Sequence, residues 1–304
     1  MVIFRRHVSG HRNGPHLLVM GGVHGDEYEP IAAIRQLIET LEPAELAGNV
    51  TLVPIVNRPA FENISRTGPD GLDLARTFPG RPDGSVTEQI AFQAAALIRE
   101  ADFLIDLHTG GLAARIAPLA GYMLHEDMAI RKQQRKMAEA FNLSIVWGTS
   151  ARLDGRSLSV ARDTGVPAIY AEWGGGGGCS PEGVAHYVQG CRNVMRSLGM
   201  ISQEVPACHV QYIVEDSRDE SGVLQKNYLA EQAGYFEPAC ELHEIVQAGQ
   251  TLGWIDPVDS GPAIPVHSHQ TGLVILLRAI PATQRGDFLA VILDADHPGE
   301  FHYE

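Results

Sequence analysis

Between residues 16 and 200, short apolar runs alternate with longer stretches whose apolar residues recur every three or four positions. The runs at 17–20, 50–56, 103–107, 117–124, 144–147 and 168–172 have the length and β-branched content of buried strands. The stretches at 28–41, 86–100, 127–141 and 181–198 carry the helical period. Ser85-Val86-Thr87-Glu88, a capping box, fixes the start of the second. Strand and helix in alternation predict an α/β fold: a mostly parallel or mixed sheet with helices on both faces.

Two regions depart from this rhythm. From Asn57 to Ser85 no period is visible, only Pro, Gly, Asp and Arg among scattered apolar residues. Compact domains keep a loop of that length when it has a function. It is expected to lie over the carboxyl edge of the sheet, where open parallel sheets collect their chemistry. Beyond about residue 205 the helical pattern stops. Alternating segments at 209–215, 222–229, 251–255, 272–278 and 288–293 stand between Gly and Pro, predicting an α/β domain over 1–204 and an all-β domain over 205–304. The phrases Gln247-Ala248-Gly249-Gln250-Thr251-Leu252-Gly253 and Gln284-Arg285-Gly286-Asp287-Phe288-Leu289 are alike. Both resemble turns of biotinyl/lipoyl-type half-barrels. Such carriers attach their cofactor to a hairpin Lys, and no Lys follows Lys226, so only the architecture is borrowed.

Composition narrows the function. The 304 residues are 44% hydrophobic and 20% charged, as in an ordinary globular protein. A formal charge of −14 argues against nucleic acid as a partner. An anionic small molecule would have to be captured by local arginines against that field. Lys132, Lys136 and Lys226 are the only lysines, so positive charge is almost all Arg, either for bidentate carboxylate recognition or from a GC-rich coding bias. The N-terminus meets Arg5 and Arg6 before any signal-like core, and no stretch reaches the roughly 18 to 20 apolar residues of a membrane span. Cys179, Cys191, Cys208 and Cys240 are widely spaced, which predicts free thiols in a cytoplasmic setting. A homo-oligomer is compatible with all of this.

The chemistry concentrates in Gly21-Gly22-Val23-His24-Gly25-Asp26-Glu27 and Phe103-Leu104-Ile105-Asp106-Leu107-His108-Thr109-Gly110. Each ends or follows an apolar run. A His-x-x-Glu pair at a helix start places both groups on one side of the turn, and a distant His completes a set of two imidazoles and one carboxylate. That is the ligand set of a zinc that keeps one position open for water. In the competing reading His24 caps a helix and His108 is a hydrogen-bonded core residue. Asp106 shares a strand face with His108, suited to orienting a ligand or to a simple hydrogen bond. Glu172 ends an apolar run and leads into Gly174 to Gly178. It could act as a general base beside the metal, or be a solvated strand end. Cys179 is a weaker nucleophile candidate, with no base beside it. Arg66 and Arg76 flank the centre of the long loop, either as an oxyanion donor and a carboxylate clamp or as solvated surface groups.

Five motifs in one order now become specific: Gly21 to Glu27, Asn57 to Phe61, Arg66 with Asp73 to Gly80, Asp106 to Gly110, and Glu172 to Gly175. Together they resemble the succinylglutamate desuccinylase/aspartoacylase family, within the zinc carboxypeptidase superfamily. The resemblance implies one zinc on His24, Glu27 and His108, with Glu172 as general base and later proton donor. It implies that Arg66 polarises the scissile carbonyl and that Arg76 and Asn57 bind substrate. The reaction it implies is hydrolysis of an N-acyl amino acid or similar small amide. One position departs: the family reads Asp-Leu-Asn-Arg, and here Ala75 stands where that Asn helps bind the substrate carboxylate. A metallocarboxypeptidase and a catalytically degenerate small-ligand-binding protein are the alternatives. Intact ligands and Glu172 count against the second.

Overall fold

Prolines, glycines and caps decide where the apolar runs stop being strand. The computed structural model describes residues 2–224 and 227–294. In chain order, β1 (Arg6–Ser9) and β2 (Arg12–Met20) lead to α1 (Tyr28–Thr40), and β3 (Ala47–Val53) to α2 (Arg58–Glu62) and α3 (Val86–Arg99). β4 (Phe103–His108) and β5 (Ala114–Met123) precede α4 (Met128–Phe141), β6 (Ile145–Thr149) precedes α5 (Ser157–Thr164), and β7 (Ala168–Gly175) precedes α6 (Pro181–Ser197). The described elements that follow are all strands: β8 (Tyr212–Glu215), β9 (Tyr228–Leu229), β10 (Gly234–Pro238), β11 (Ile245–Val246), β12 (Thr251–Asp256), β13 (Ile264–His267), β14 (Gly272–Arg278), β15 (Ala282–Thr283) and β16 (Phe288–Asp294).

β3 ends three residues before the expected limit of 56, because Pro54 has no N–H to give the ladder. α2 is a single short turn inside the loop that looked aperiodic, opened by Asn57 and Pro59. The pattern also missed α5, where Ser157 and Ser159 are buried beside Leu158, Val160 and Ala161, so the apolar contrast is low. The capping box forms at α3, where Glu88 Oε2 accepts from Ser85 N at 2.8 Å.

β3, β2, β4 and β7 form a parallel core, with Met20 opposite Val53 and Asp106, and His108 opposite Glu172. β1 flanks β3 and β5 flanks β7, both antiparallel. α1, α4 and α6 cover one face with Ile34, Leu37, Phe141, Tyr187 and Met195. On the other face α3 and α5 pack through Ile90, Ala94, Leu158 and Val160. The sheet forks along β5. Its second half, from Leu119, pairs with parallel β6, which carries β8. Its first half, Ala114 to Ile116, pairs with antiparallel β14, followed by β16 and β9.

The stretch after 205 therefore continues the same 12-stranded sheet, and the expected boundary at 204 is no break in its hydrogen bonding. A second, four-stranded sheet is built from β13, β12, β10 and β15. The two alike phrases fold alike: Gln250 N donates to Gln247 O and Asp287 N to Gln284 O, each at 3.0 Å. Their third residues, Gly249 and Gly286, have φ of 87° and 91°, which such turns reserve for glycine. The expected strand at 222–229 includes residues 225 and 226, Lys226 among them, which lie outside the described residues, as do 295–304 of the expected second domain. Of its remainder, Tyr228–Leu229 is strand. Among the described residues, no helix is long and apolar enough to cross a membrane.

Candidate active site

At the carboxyl end of β2 the chain turns through Gly21 and Gly22 (φ 61°) and is pinned there by Gly21 N to Val53 O (3.0 Å) and Asn57 N to Gly22 O (2.8 Å). Gly25 then passes so close to α2 that a Cβ on it would stand 2.0 Å from the Ala60 carbonyl carbon. This close approach aims His24 inward. Glu27 is the N-cap of α1, with extended φ and ψ of −112° and 104°. The pair therefore stands at the start of the helix, as the spacing suggested, with Glu27 at its cap and His24 on the tight loop before it.

Glu27 is the hub. Its Oε1 lies 2.7 Å from His24 Nδ1 and its Oε2 lies 3.1 Å from His108 Nδ1, with the imidazole centroids 5.2 Å apart. The three ligand atoms lie within 4.8 Å of one another, as a single coordination shell requires. Each far ring nitrogen meets a carboxylate: His24 Nε2 to Asp73 Oδ1 at 3.1 Å, His108 Nε2 to Asp106 Oδ2 at 3.2 Å. Carboxylates in those places set tautomer and ring orientation in metal sites. Asp106 is held in turn by Ser157 Oγ, and Tyr187 OH donates to the His108 carbonyl. Asp73 also accepts from Ala75 N at 2.9 Å and from Arg66 Nε at 3.1 Å, so one carboxylate ties Arg66 to His24. The residue reading missed Asp73 in this role, although it opens one of the motifs.

Electrostatics follow from burial. Desolvation opposes the charge on Glu27, yet the two imidazoles outweigh it and hold the carboxyl below its usual range. Desolvation likewise opposes a charged His108, but Asp106 and Glu27 raise its pKa well above the ordinary value. Glu172, one strand over and in register with His108, is pushed up to about 8, chiefly by burial, with the His108 charge opposing. Its Oε2 is buried without a hydrogen-bond partner. A buried carboxylate oxygen with no protein partner, one strand over from the His108 imidazole, is free to accept from a bound water. The donor set of His24, Glu27 and His108 fits a divalent ion, and the Glu172 oxygen is left to a water beside it.

The triad opens into a cavity of about 180 Å³. Arg66, Arg76 and Glu172 line it, so the loop from Asn57 to Ser85 does reach the carboxyl edge. Arg156, which the sequence pattern did not single out, lines it as well and donates Nη1 to Gly222 O at 3.2 Å. Burial first, and then the charge of Arg76, lowers the pKa of Arg156 to about 10. Asn57 is different. It is fully buried, its Oδ1 accepts from Ala60 N at 3.3 Å as the α2 cap, and it is not among the lining residues. Capping occupies the amide oxygen alone; Asn57 Nδ2 is buried without a protein partner. Cys179 is exposed, outside the cavity lining, and its thiol pKa is raised by burial and by Glu29. The glycine run is tied down: Gly176 N donates to Ala114 O and Gly177 N to Gly111 O.

Residues 13–198 match the family model described as the succinylglutamate desuccinylase/aspartoacylase catalytic domain. Over 287 residues, 92% of this chain and 82% of its relative, the sequence is 33% identical to an N-alpha-acetyl-L-2,4-diaminobutyric acid deacetylase of Halomonas elongata. A crystal structure of a succinylglutamate desuccinylase/aspartoacylase from Rhodobacter sphaeroides superposes with a TM-score of 0.86 at 30% identity, over 95% of this chain and 88% of that one. The product-bound structure of the ectoine utilization protein EutE (DoeB) from Ruegeria pomeroyi gives the same TM-score, identity and coverage.

Proposed function

The chain belongs to the succinylglutamate desuccinylase/aspartoacylase family, and on that premise we propose that it is a zinc-dependent hydrolase cleaving the amide bond of a small N-acyl amino acid. The observation that carries this reading is the orphaned, buried carboxylate oxygen of Glu172, set across one strand register from His108 at the mouth of the triad. The deacetylase activity named for the Halomonas relative supports it.

In this reading His24, Glu27 and His108 hold the zinc. When bound, the zinc supplies Lewis acidity toward water and toward a carbonyl oxygen. Glu172 takes a proton from the attacking water and returns it to the leaving amine. A raised pKa suits both halves of that task, because proton transfer is most efficient near the working pH. Arg66, braced by Asp73, faces the oxygen on which negative charge develops, and preorganised donors are strongest there. Arg76 holds a substrate carboxylate. Ala75 lines the cavity beside it without a donor, so the family's Asn contact is missing in this chain. The four cysteines are free, which supports a reducing, cytoplasmic setting.

A screen of N-acetyl, N-succinyl and N-formyl amino acids with metal-loaded protein tests the reading. Hydrolysis of at least one class, abolished by a chelator and restored by zinc, is the expected result. Turnover indifferent to chelation would refute it.

A further inference from the structure

The cavity has a second wall that the motifs do not describe. Leu224, Leu276 and Phe288 line it from the region after residue 205, and Ile116 joins them from β5. These four form part of one apolar cluster, with Ile116 paired to Leu276 across the β5–β14 ladder. The acids among the described lining residues are Asp26, Glu27, Asp106 and Glu172. Glu27 is shared by the two imidazoles, Asp106 serves His108 and Ser157, and Asp26 accepts from Leu112 N at 2.9 Å. Glu172 is the base. None stands on the Leu276 wall.

The arginines abut that wall. Arg156 donates to the carbonyl of Gly222, two residues before Leu224, and Gly155 packs against the Arg76 backbone. A carboxylate gripped by Arg76 and Arg156 would sit where the next substituent on the same carbon meets leucine and phenylalanine. Among the described lining residues, an ammonium there would meet no uncommitted carboxylate, and a second carboxylate no arginine beyond Arg66, Arg76 and Arg156, which are already assigned. Either would lose its water without a charged partner, a cost far above that of burying an alkyl group.

Resting on the deacylase reading above, we infer that the amine half of the substrate carries an uncharged apolar side chain. The enzyme thus favours N-acyl derivatives of aliphatic or aromatic amino acids over those of diamino acids or aspartate.

Binding tests this separately from turnover. Metal-loaded Glu172→Gln protein is titrated calorimetrically with N-acetyl-L-leucine, N-acetyl-L-aspartate and Nα-acetyl-L-2,4-diaminobutyrate. The leucine derivative should bind at least about tenfold more tightly than either charged one. Adding Leu224→Glu should shift the leucine-to-diaminobutyrate ratio by about tenfold toward the latter. If that variant melts early, Phe288→Ala serves instead, weakening the leucine derivative by about tenfold and sparing the diaminobutyrate one. Equal or tighter binding of a charged derivative overturns the inference, as does a ratio that neither variant moves. Leucine-selective binding with no hydrolysis by the unaltered protein would sink the deacylase reading and leave the pocket assignment standing.

Discussion

At the His24 end of the cavity, carboxylates brace the two imidazoles and Arg66, while Glu172 Oε2 stands among them without a hydrogen-bond partner. Asp73 braces His24 and Arg66, Asp106 braces His108, and Ser157 braces Asp106. At the Leu276 end the wall is shaped by Leu276 of β14, Phe288 of β16 and Leu224, in contact with the sheet core, and these described residues carry no charge. The first end can fix one geometry and stabilise developing charge, since each partner's position is specified by hydrogen bonds. The second end can only sort substrates by shape and polarity. Chemistry and selectivity are thus assigned to different parts of the chain, and variants should separate them.

Glu172→Gln should have the largest effect, a loss of about 10² to 10⁴ in kcat. The apolar end should be untouched, so KM for a good substrate should change little. A collapse of substrate affinity in this variant would mean that the two ends are coupled. Arg66→Ala should cost about 10² to 10³ in kcat through the lost donor to the oxyanion. Retention of most activity would transfer that role to another group. Phe288→Ala at the apolar end should raise KM by about tenfold while kcat holds, the signature of lost uniform binding. An equal fall in kcat would break the division proposed here.

A smaller effect concerns the loop that carries Arg66 and Arg76. Asp70 accepts from Thr87 N (2.9 Å) and Thr87 Oγ1 (2.6 Å) at the start of α3. Desolvation opposes its charge, but hydrogen bonds from Ser85 and Thr87 hold its pKa down to about 2, from an ordinary 3.8. Its stabilising contribution is therefore present above pH 3.8 and lost as pH falls through about 2. Thermal melts of Asp70→Asn and the parent chain should differ at pH 5 and converge near that lower limit. Identical melts at both would remove the carboxylate from the account.

The same division explains what was legible in the sequence. The triad and Glu172 follow short apolar runs at strand ends, and strand order in a parallel core brings those ends together. Local pattern therefore predicted a distant meeting. The Asp73 bridge was harder to see, since a carboxylate in a loop reads as solvated until its partners are placed. Asn57 is a motif residue whose amide oxygen caps α2 while its Nδ2 stays buried without a protein partner, a division that spacing does not reveal. The apolar wall was illegible for a different reason. Leu276 and Phe288 carry no chemistry of their own, and their place beside the site depends on the fork in β5, a long-range pairing that alternation alone does not encode. The region after 205 read as strands, but not as strands of the same sheet.

The central claim is that His24, Glu27 and His108 form one metal site that Glu172 serves without ligating. Metal content per chain, measured by elemental analysis on the parent protein, Glu172→Gln and Glu27→Gln after zinc loading and gel filtration, tests it most directly. The account predicts about one zinc in the first two and a loss of tight binding in the third. Zinc lost from Glu172→Gln, or kept by Glu27→Gln, would contradict it.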